Sequence, residues 1–336
     1  MPLEEDIERC CLMPQLHHEL HKKVSRERVG KELEGMLSGK SAHPKAALET
    51  ILRLKLAGSV FDVPPAPLRG SIGIKSPQMY QGDPAHLAQL RECAWLETSA
   101  CLNHLPGLVD GIHDKRTSLL ANASANATTQ VDERLLHLAV FCLPFFDLLY
   151  QQKRKTKSVV EYMMREGIKF SNKDCSSMIS LIGSVQEAMA LLESDPEVPK
   201  GAPEERLKAG LFVKRSSELW VTAMTLGTVA LLQKYDVSWH PHWGKRMILW
   251  YTTIISMNLD ECWRQPPLLN GKAIIDMLGL SRGPRVGFYT QKETEWRLMH
   301  PEGTQEDCLK FLKAVQKEQD KDEEQAMEHI NKKMHM

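Results

Sequence analysis

Apolar residues recur at helical spacing along most of this 336-residue chain, and nowhere do they alternate long enough to read as a strand. Ser171-Asn172-Lys173-Asp174 is a cluster of helix-capping residues. It leads into Met178, Ile179, Ile182, Val185, Met189 and Leu192, one face of an amphipathic helix. Ala46, Leu48, Ile51, Leu52, Leu54 and Leu56 repeat in the same way, starting near Ser41 to Pro44 and stopping at Gly58. Leu87, Leu90, Ala94, Cys101 and Leu102 mark a long helix, Val131 to Tyr150 a core helix, and Leu207 to Leu232 one or two more. Val63-Pro64-Pro65-Ala66-Pro67 cannot be helical. Residues 70–82 are glycine-rich, Asn122 to Gln130 reads as a loop, and Ser194-Asp195-Pro196 with Gly201-Ala202-Pro203 brackets a linker. Lys317 to Met336 is highly charged with few apolar residues, and fraying into solvent is expected there. These patterns predict an all-α, elongated chain of short helices.

The composition supplies a core but no global address. Hydrophobic residues make up 42% of the chain, enough to bury one. Lys plus Arg and Asp plus Glu are 43 each, so any nucleic-acid affinity must come from a local groove and not from net charge. Cys10, Cys11, Cys93, Cys101, Cys142, Cys175, Cys262 and Cys308 form no C-x-x-C pair, which points to reduced thiols in an intracellular compartment. The first ten residues, MPLEEDIERC, read as neither a signal nor a transit peptide, so cytoplasm, nucleus, mitochondrion and plastid are not distinguished. The most apolar run, Leu135 to Tyr150, is short for a membrane span of about 20 residues and holds Asp147, so no membrane is expected.

Short chemical motifs mostly dissolve on inspection. Ser38-Gly39-Lys40-Ser41 hints at a phosphate loop, but Glu34 stands where the first glycine is required and a helix, not a strand, precedes it. His17 and His21 share a helix face without a third ligand, so surface histidines are expected there and not a metal site. Asp110, His113 and Asp114 read as a solvated helix end.

Ser25-Arg26-Glu27-Arg28-Val29-Gly30-Lys31-Glu32-Leu33 resembles the neck motif of the class II CCA-adding enzymes, tRNA nucleotidyltransferases of the poly(A) polymerase head-domain superfamily. Ile168 to Leu192 resembles the body helices of plant-type members, and Leu207 to Leu232 does so more loosely. Three tail segments match best. Pro267-Leu268-Leu269-Asn270-Gly271-Lys272-Ala273-Ile274, Gly283-Pro284-Arg285-Val286-Gly287 and His300-Pro301-Glu302-Gly303-Thr304-Gln305-Glu306 are similar to P-L-V-N-G-K-D-I, G-G/P-x-V and H-P-x-G-T-x-E-E. The resemblance implies a neck over residues 1–62, a helical body over 63–260, a tail over 261–317 and a charged C-terminus over 318–336. Glu27, Arg28 and Glu32 would brace the neck helix beneath the nucleotide-selecting template.

Only 24 residues precede the neck motif. The family's metal-binding carboxylates, its R-R-D segment and its E/D-D-x-x-R template do not appear; Asp6 and Arg9 resemble the last only superficially, at the position of the helix that follows it. The expectation is therefore a neck, body and tail without the catalytic head, with no catalytic residue and no metal or cofactor site of its own. Mg2+, CTP and ATP would belong to the head, which a separate chain could supply. The implied partner is tRNA, held at its elbow and acceptor region. The candidate RNA contacts are Lys153, Arg154, Lys155 and Lys157, then Asn270, Lys272, Arg282, Arg285, Lys292 and Arg297. For the first group, a solvated loop ending the preceding helix is an equal reading; for the second, a glycine-capped helical hairpin is the alternative. Two other functions stand beside this one: a head-less paralogue serving as a structural subunit of a ribonucleoprotein, and a helical protein-interaction module. Nothing in the sequence fixes the oligomeric state.

Overall fold

The computed structural model describes residues 5–39, 41–64, 68–72, 78–79, 98–121, 130–195, 202–235 and 240–334. It is helical almost throughout and divides into two compact units. The first comprises Met1–Asp195 with Arg215–Ile255, and the second Pro196–Lys214 with Ser256–Met336.

The first unit is built around the helix Trp220–Tyr235, which is buried on every side from Trp220 to Gln233. A helix apolar all round belongs inside a protein, not on its surface. Val185–Glu193 packs along it so closely that a Cβ on Gly227 would lie 2.5 Å from the Ala188 Cβ. Glu133–Cys142 and Asn172–Gly183 complete the packing. Ser171, in the cap cluster read from the sequence, accepts from the Asp174 amide at 3.1 Å, and Asp132 caps the helix Glu133–Cys142 by accepting from the Leu135 amide at 2.9 Å. The stretch Asn172–Glu193 is long and apolar enough, at 22 residues, to pass as a membrane span. It is interrupted at Ser184, and its apolar face is buried in the unit's own core.

The expected core helix over Val131 to Tyr150 is shorter than predicted. It ends at Cys142, because Pro144 lacks a backbone donor and the chain tightens into the 3-10 turn Leu143–Phe145. Residues Leu149–Gln152 then pair antiparallel with Lys155–Ser158, and Leu68–Arg69 adds on the other side, with Leu68 opposite Tyr150. A two-residue ladder joins Ser71–Ile72 to Gln78–Met79. The chain is mostly all-α, with these short strands as the exception. The long helix expected from Leu87 falls mainly, and the loop from Asn122 almost wholly, outside the described residues.

The second unit closes around Leu269, Ile274, Leu278, Tyr289, Trp296, Cys308 and Leu312. These come from the helices Gly271–Leu278, Pro284–Met299 and Gln305–Met334 and the turn before them. The first of these helices ends on Gly279, whose φ of 63° is the left-handed conformation a terminating residue needs. Gly303 has a different duty, since a Cβ there would sit 2.3 Å from the Trp296 ring. The C-terminal segment does not fray at Lys317: the helix runs on to Met334. It carries no glycine or proline, and its Lys, Glu, Gln, Ala and Met residues are strong helix formers even without an apolar face.

Candidate RNA-binding surfaces and the neck brace

The neck motif lies on the helix Arg26–Leu37, capped by Ser25. Val29, Gly30, Leu33 and Leu37 face inward, while Glu27, Arg28 and Glu32 are exposed. The bracing contacts expected of those three run instead through Arg26, Gly30 and Glu34. Arg26 donates to three backbone carbonyls, from Nε to Gly167 O at 2.5 Å, from Nη1 to Ser59 O at 2.8 Å and from Nη2 to Val60 O. Its burial lowers the guanidinium pKa, and the Asp62 carboxylate opposes that shift. Gly30 passes so close to the next residue of that turn that a Cβ would lie 1.9 Å from Ile168 O.

Glu34 closes the third contact. Its carboxylate accepts from Arg134 Nη1 at 2.8 Å, and the other end of the same guanidinium binds Asp174. Burial pushes the Asp174 carboxyl up, but hydrogen bonds from Ser171 and Arg134 outweigh it and hold the pKa below the usual carboxylate range. A depressed folded pKa stabilises the protein above the unfolded value and loses that contribution as pH falls through the folded one. Arg134→Met therefore costs about 2–3 kcal/mol at pH 7. That deficit narrows as the pH falls below about 4, the ordinary aspartate range. Urea unfolding of both proteins at pH 7 and pH 3 checks this.

Lys153 and Arg154 form the two-residue turn of the hairpin Leu149–Ser158, and Lys155 follows on the second strand. All three are exposed. The group is thus the tip of a β-hairpin, not a loop ending a helix. Lys153 has a φ of 58°, a backbone conformation that costs an L-residue about 1 kcal/mol and glycine almost nothing. Lys157 is half-buried and lies 3.7 Å from the Glu161 carboxylate.

The tail candidates lie in the other unit. The Asn270 side-chain oxygen accepts from the Ala273 amide at 3.0 Å and caps the helix. Lys272 and Arg282 are exposed and enter no ion pair among the described residues. Arg285 pairs with Asp320 at 2.9 Å and Lys292 with Glu295 at 2.8 Å, so both are partly neutralised. Arg297 donates to Pro266 O and lines a cavity. Among the described residues, no group of three His, Cys, Asp or Glu side chains is placed to hold a metal ion.

The chain is similar to tRNA nucleotidyltransferases. The tRNA nucleotidyltransferase cca1 of Schizosaccharomyces pombe is 22% identical over 308 residues, covering 89% of this chain and 54% of the relative. The mitochondrial CCA tRNA nucleotidyltransferase of Candida glabrata is 23% identical over 331 residues, 90% of this chain and 56% of its own length. That of Saccharomyces cerevisiae is 21% identical over 314 residues, 90% of this chain and 54% of its own. The chain thus spans about half the length of these relatives. No family model matches it, and no solved structure does.

The sequence held a signal for the residues that were missed. Arg26, Gly30, Leu33 and Leu37 are spaced i, i+4, i+7 and i+11, which is one helix face, and two of them are leucines. A charged residue and a glycine on the apolar face of a helix mark a built contact; the more conspicuous charges at 27, 28 and 32 lie on the wet face.

Proposed function

We propose that this chain is the tRNA-holding neck, body and tail of a CCA-adding nucleotidyltransferase, inactive in nucleotidyl transfer without a head that supplies the metal-binding carboxylates. The observation that carries this reading is similarity along about 90% of the chain to enzymes named for CCA addition to tRNA. In this reading Mg2+, CTP and ATP act at the head, in the same polypeptide or a separate one. The present residues hold the substrate. Exposed cations at the hairpin tip (Lys153, Arg154, Lys155) and in the tail (Lys272, Arg282) meet backbone phosphates. Such contacts read the shape of a folded RNA instead of its base sequence. The site of action is an intracellular, reducing compartment, in keeping with the free thiols of the described cysteines.

The hairpin tip supplies a test that separates function from folding. A cation held in left-handed backbone lowers stability, which makes sense if the charge is needed at that point. Lys153→Gly is expected to raise stability by about 1 kcal/mol and to weaken tRNA binding several-fold. Removing Lys153, Arg154 and Lys155 together flattens the slope of log affinity against log salt by about 2. Tighter binding by the glycine variant, or a salt slope that the triple variant leaves unchanged, takes the hairpin out of the RNA interface.

A further inference from the structure

The hairpin Leu149–Ser158 carries an exposed hydroxyl that the RNA reading does not use. Lys155–Ser158 is the outer strand of its three-stranded sheet, so one of its backbone edges pairs with nothing in that sheet. Side chains alternate between the two faces. On the facing strand Tyr150 is 7% exposed and Leu149 39%. The face with Tyr150 and Lys157 therefore turns to the body, and the face with Leu149, Gln151, Thr156 and Ser158 turns outward. Every residue from Gln151 to Thr156 is exposed.

The two hydroxyls on the outer face are held differently. Ser158 is half-buried, and its Oγ accepts from the Val160 amide at 3.2 Å, which caps the short helix that follows. Thr156 Oγ1 accepts from the exposed Gln151 Nε2 at 2.6 Å. That contact takes one lone pair and leaves the hydroxyl proton and a second lone pair. Rotation of the Gln151 side chain is enough to break it.

Lys153, Arg154 and Lys155 precede Thr156 and Lys157 follows it, and from Leu148 to Val160 there is no Asp or Glu. Burial raises the Tyr150 hydroxyl and the carboxylates Glu161 and Glu166 add to it, so these two stand beneath the hairpin. Both are already paired. Glu161 lies 3.7 Å from Lys157 and 3.2 Å from Arg165, and Glu166 lies 2.6 Å from Lys169. Lys157 is thus offset, while Lys153, Arg154 and Lys155 enter no ion pair among the described residues. Lys153 also holds left-handed backbone at a φ of 58°, strain that opening of the tip relieves. The pairs next to the turn, Gln152 with Lys155 and Gln151 with Thr156, therefore part readily. Charge pattern is what separates one kinase substrate from another, and a hydroxyl preceded by three cations suits an acidic substrate groove.

We infer that Thr156 is a phosphorylation site for a protein kinase selective for basic segments, and that its phosphate switches off the RNA contact of the hairpin tip. The effect on RNA rests on the reading of that tip as a tRNA contact; the modification itself does not. In the transfer, Thr156 Oγ1 bonds to the γ-phosphorus of ATP held by the kinase as the bond from that phosphorus to the β–γ bridging oxygen breaks. ADP leaves, and the hydroxyl proton passes to a base of the kinase. The new group carries about two negative charges at pH 7, which offsets most of the three free cations and offers them an internal partner in place of RNA phosphates.

The full chain is incubated with ATP, Mg2+ and a serine/threonine kinase selective for basic segments, the modified residue is mapped by mass spectrometry, and tRNA binding is measured before and after. One phosphate is expected on Thr156. Thr156→Val abolishes it and leaves tRNA affinity and the thermal midpoint in place, whereas Ser158→Ala still accepts it. The phosphorylated chain binds tRNA at least tenfold more weakly at low salt, and its slope of log affinity against log salt falls by about 1 to 2. No incorporation, or phosphate on Ser158 with Thr156 unmodified, overturns the site. A fully phosphorylated Thr156 with unchanged tRNA affinity overturns the switch. An unmodified chain that binds tRNA but takes no phosphate removes this site and leaves the tRNA reading intact; one that takes phosphate on Thr156 but never bound tRNA keeps the site and removes that reading.

Discussion

Gly30→Ala destabilises the first unit by about 3 kcal/mol or more, whereas Gly35→Ala, on the same helix, stabilises it by up to about 1 kcal/mol. The two substitutions add the same methyl group. At Gly30 its carbon would lie 1.9 Å from Ile168 O and 3.1 Å from the carbonyl carbon, so backbone on one side must move. At Gly35 nothing lies within 4 Å, and alanine simply lowers the entropy of the unfolded chain in a helix interior. Urea denaturation of the two variants reads both effects. Equal and small shifts would mean that the neck helix does not rest on the Gly167–Ile168 turn.

The second large effect is expected at Arg26. Its guanidinium fork satisfies the carbonyls of Ser59, Val60 and Gly167, which belong to two separate turns. Arg26→Lys retains the charge but cannot reach three carbonyls in one plane, so at least one acceptor loses its donor. A loss of about 2–3 kcal/mol follows, and Arg26→Met loses more. By contrast Arg28→Lys, two residues along and exposed, changes stability by less than about 0.5 kcal/mol. The comparison is made in the same denaturant series. If Arg28 proves the sensitive position and Arg26 the silent one, the brace has been assigned to the wrong helix face.

Much of this was legible in the sequence, for identifiable reasons. The helix Asn172–Gly183 announces itself because its Ser171 cap and its apolar period agree, whereas Pro44–Arg53 stops at Leu54, short of the expected Gly58, which lies inside the next short helix, Ala57–Val60. The hairpin at Leu149–Ser158 was hidden for two reasons. The apolar run from Leu135 passes through Pro144 without a change of character, and its third strand, Leu68–Arg69, lies about 80 residues earlier. Pairing at that distance leaves no local pattern to read. The C-terminal helix Gln305–Met334 has no apolar period along its charged second half to announce it, and residue propensity is the one local signal in its favour. On the helix Arg26–Leu37 the conspicuous charges Glu27, Arg28 and Glu32 are exposed, and the side-chain contacts to other elements are made by Arg26 and Glu34, whose places on the helix the sequence shows but whose partners it does not. In the tail, Asn270 and Gly303 serve the fold, as helix cap and as clearance for Trp296. Charge and position could nominate Arg297, but only the folded chain shows that its guanidinium donates to Pro266 O.

The measurement that bears most directly on the central claim is tRNA binding by this chain across a salt series, with incorporation from CTP and ATP assayed in the same tubes. The account predicts binding that weakens linearly in log salt, preference for folded tRNA over an unstructured RNA of the same length, and no incorporation. Absence of tRNA binding at low salt would contradict it and move the weight to a protein-interaction module. Incorporation would contradict the other half of the claim, because the chain would then hold a catalytic site of its own.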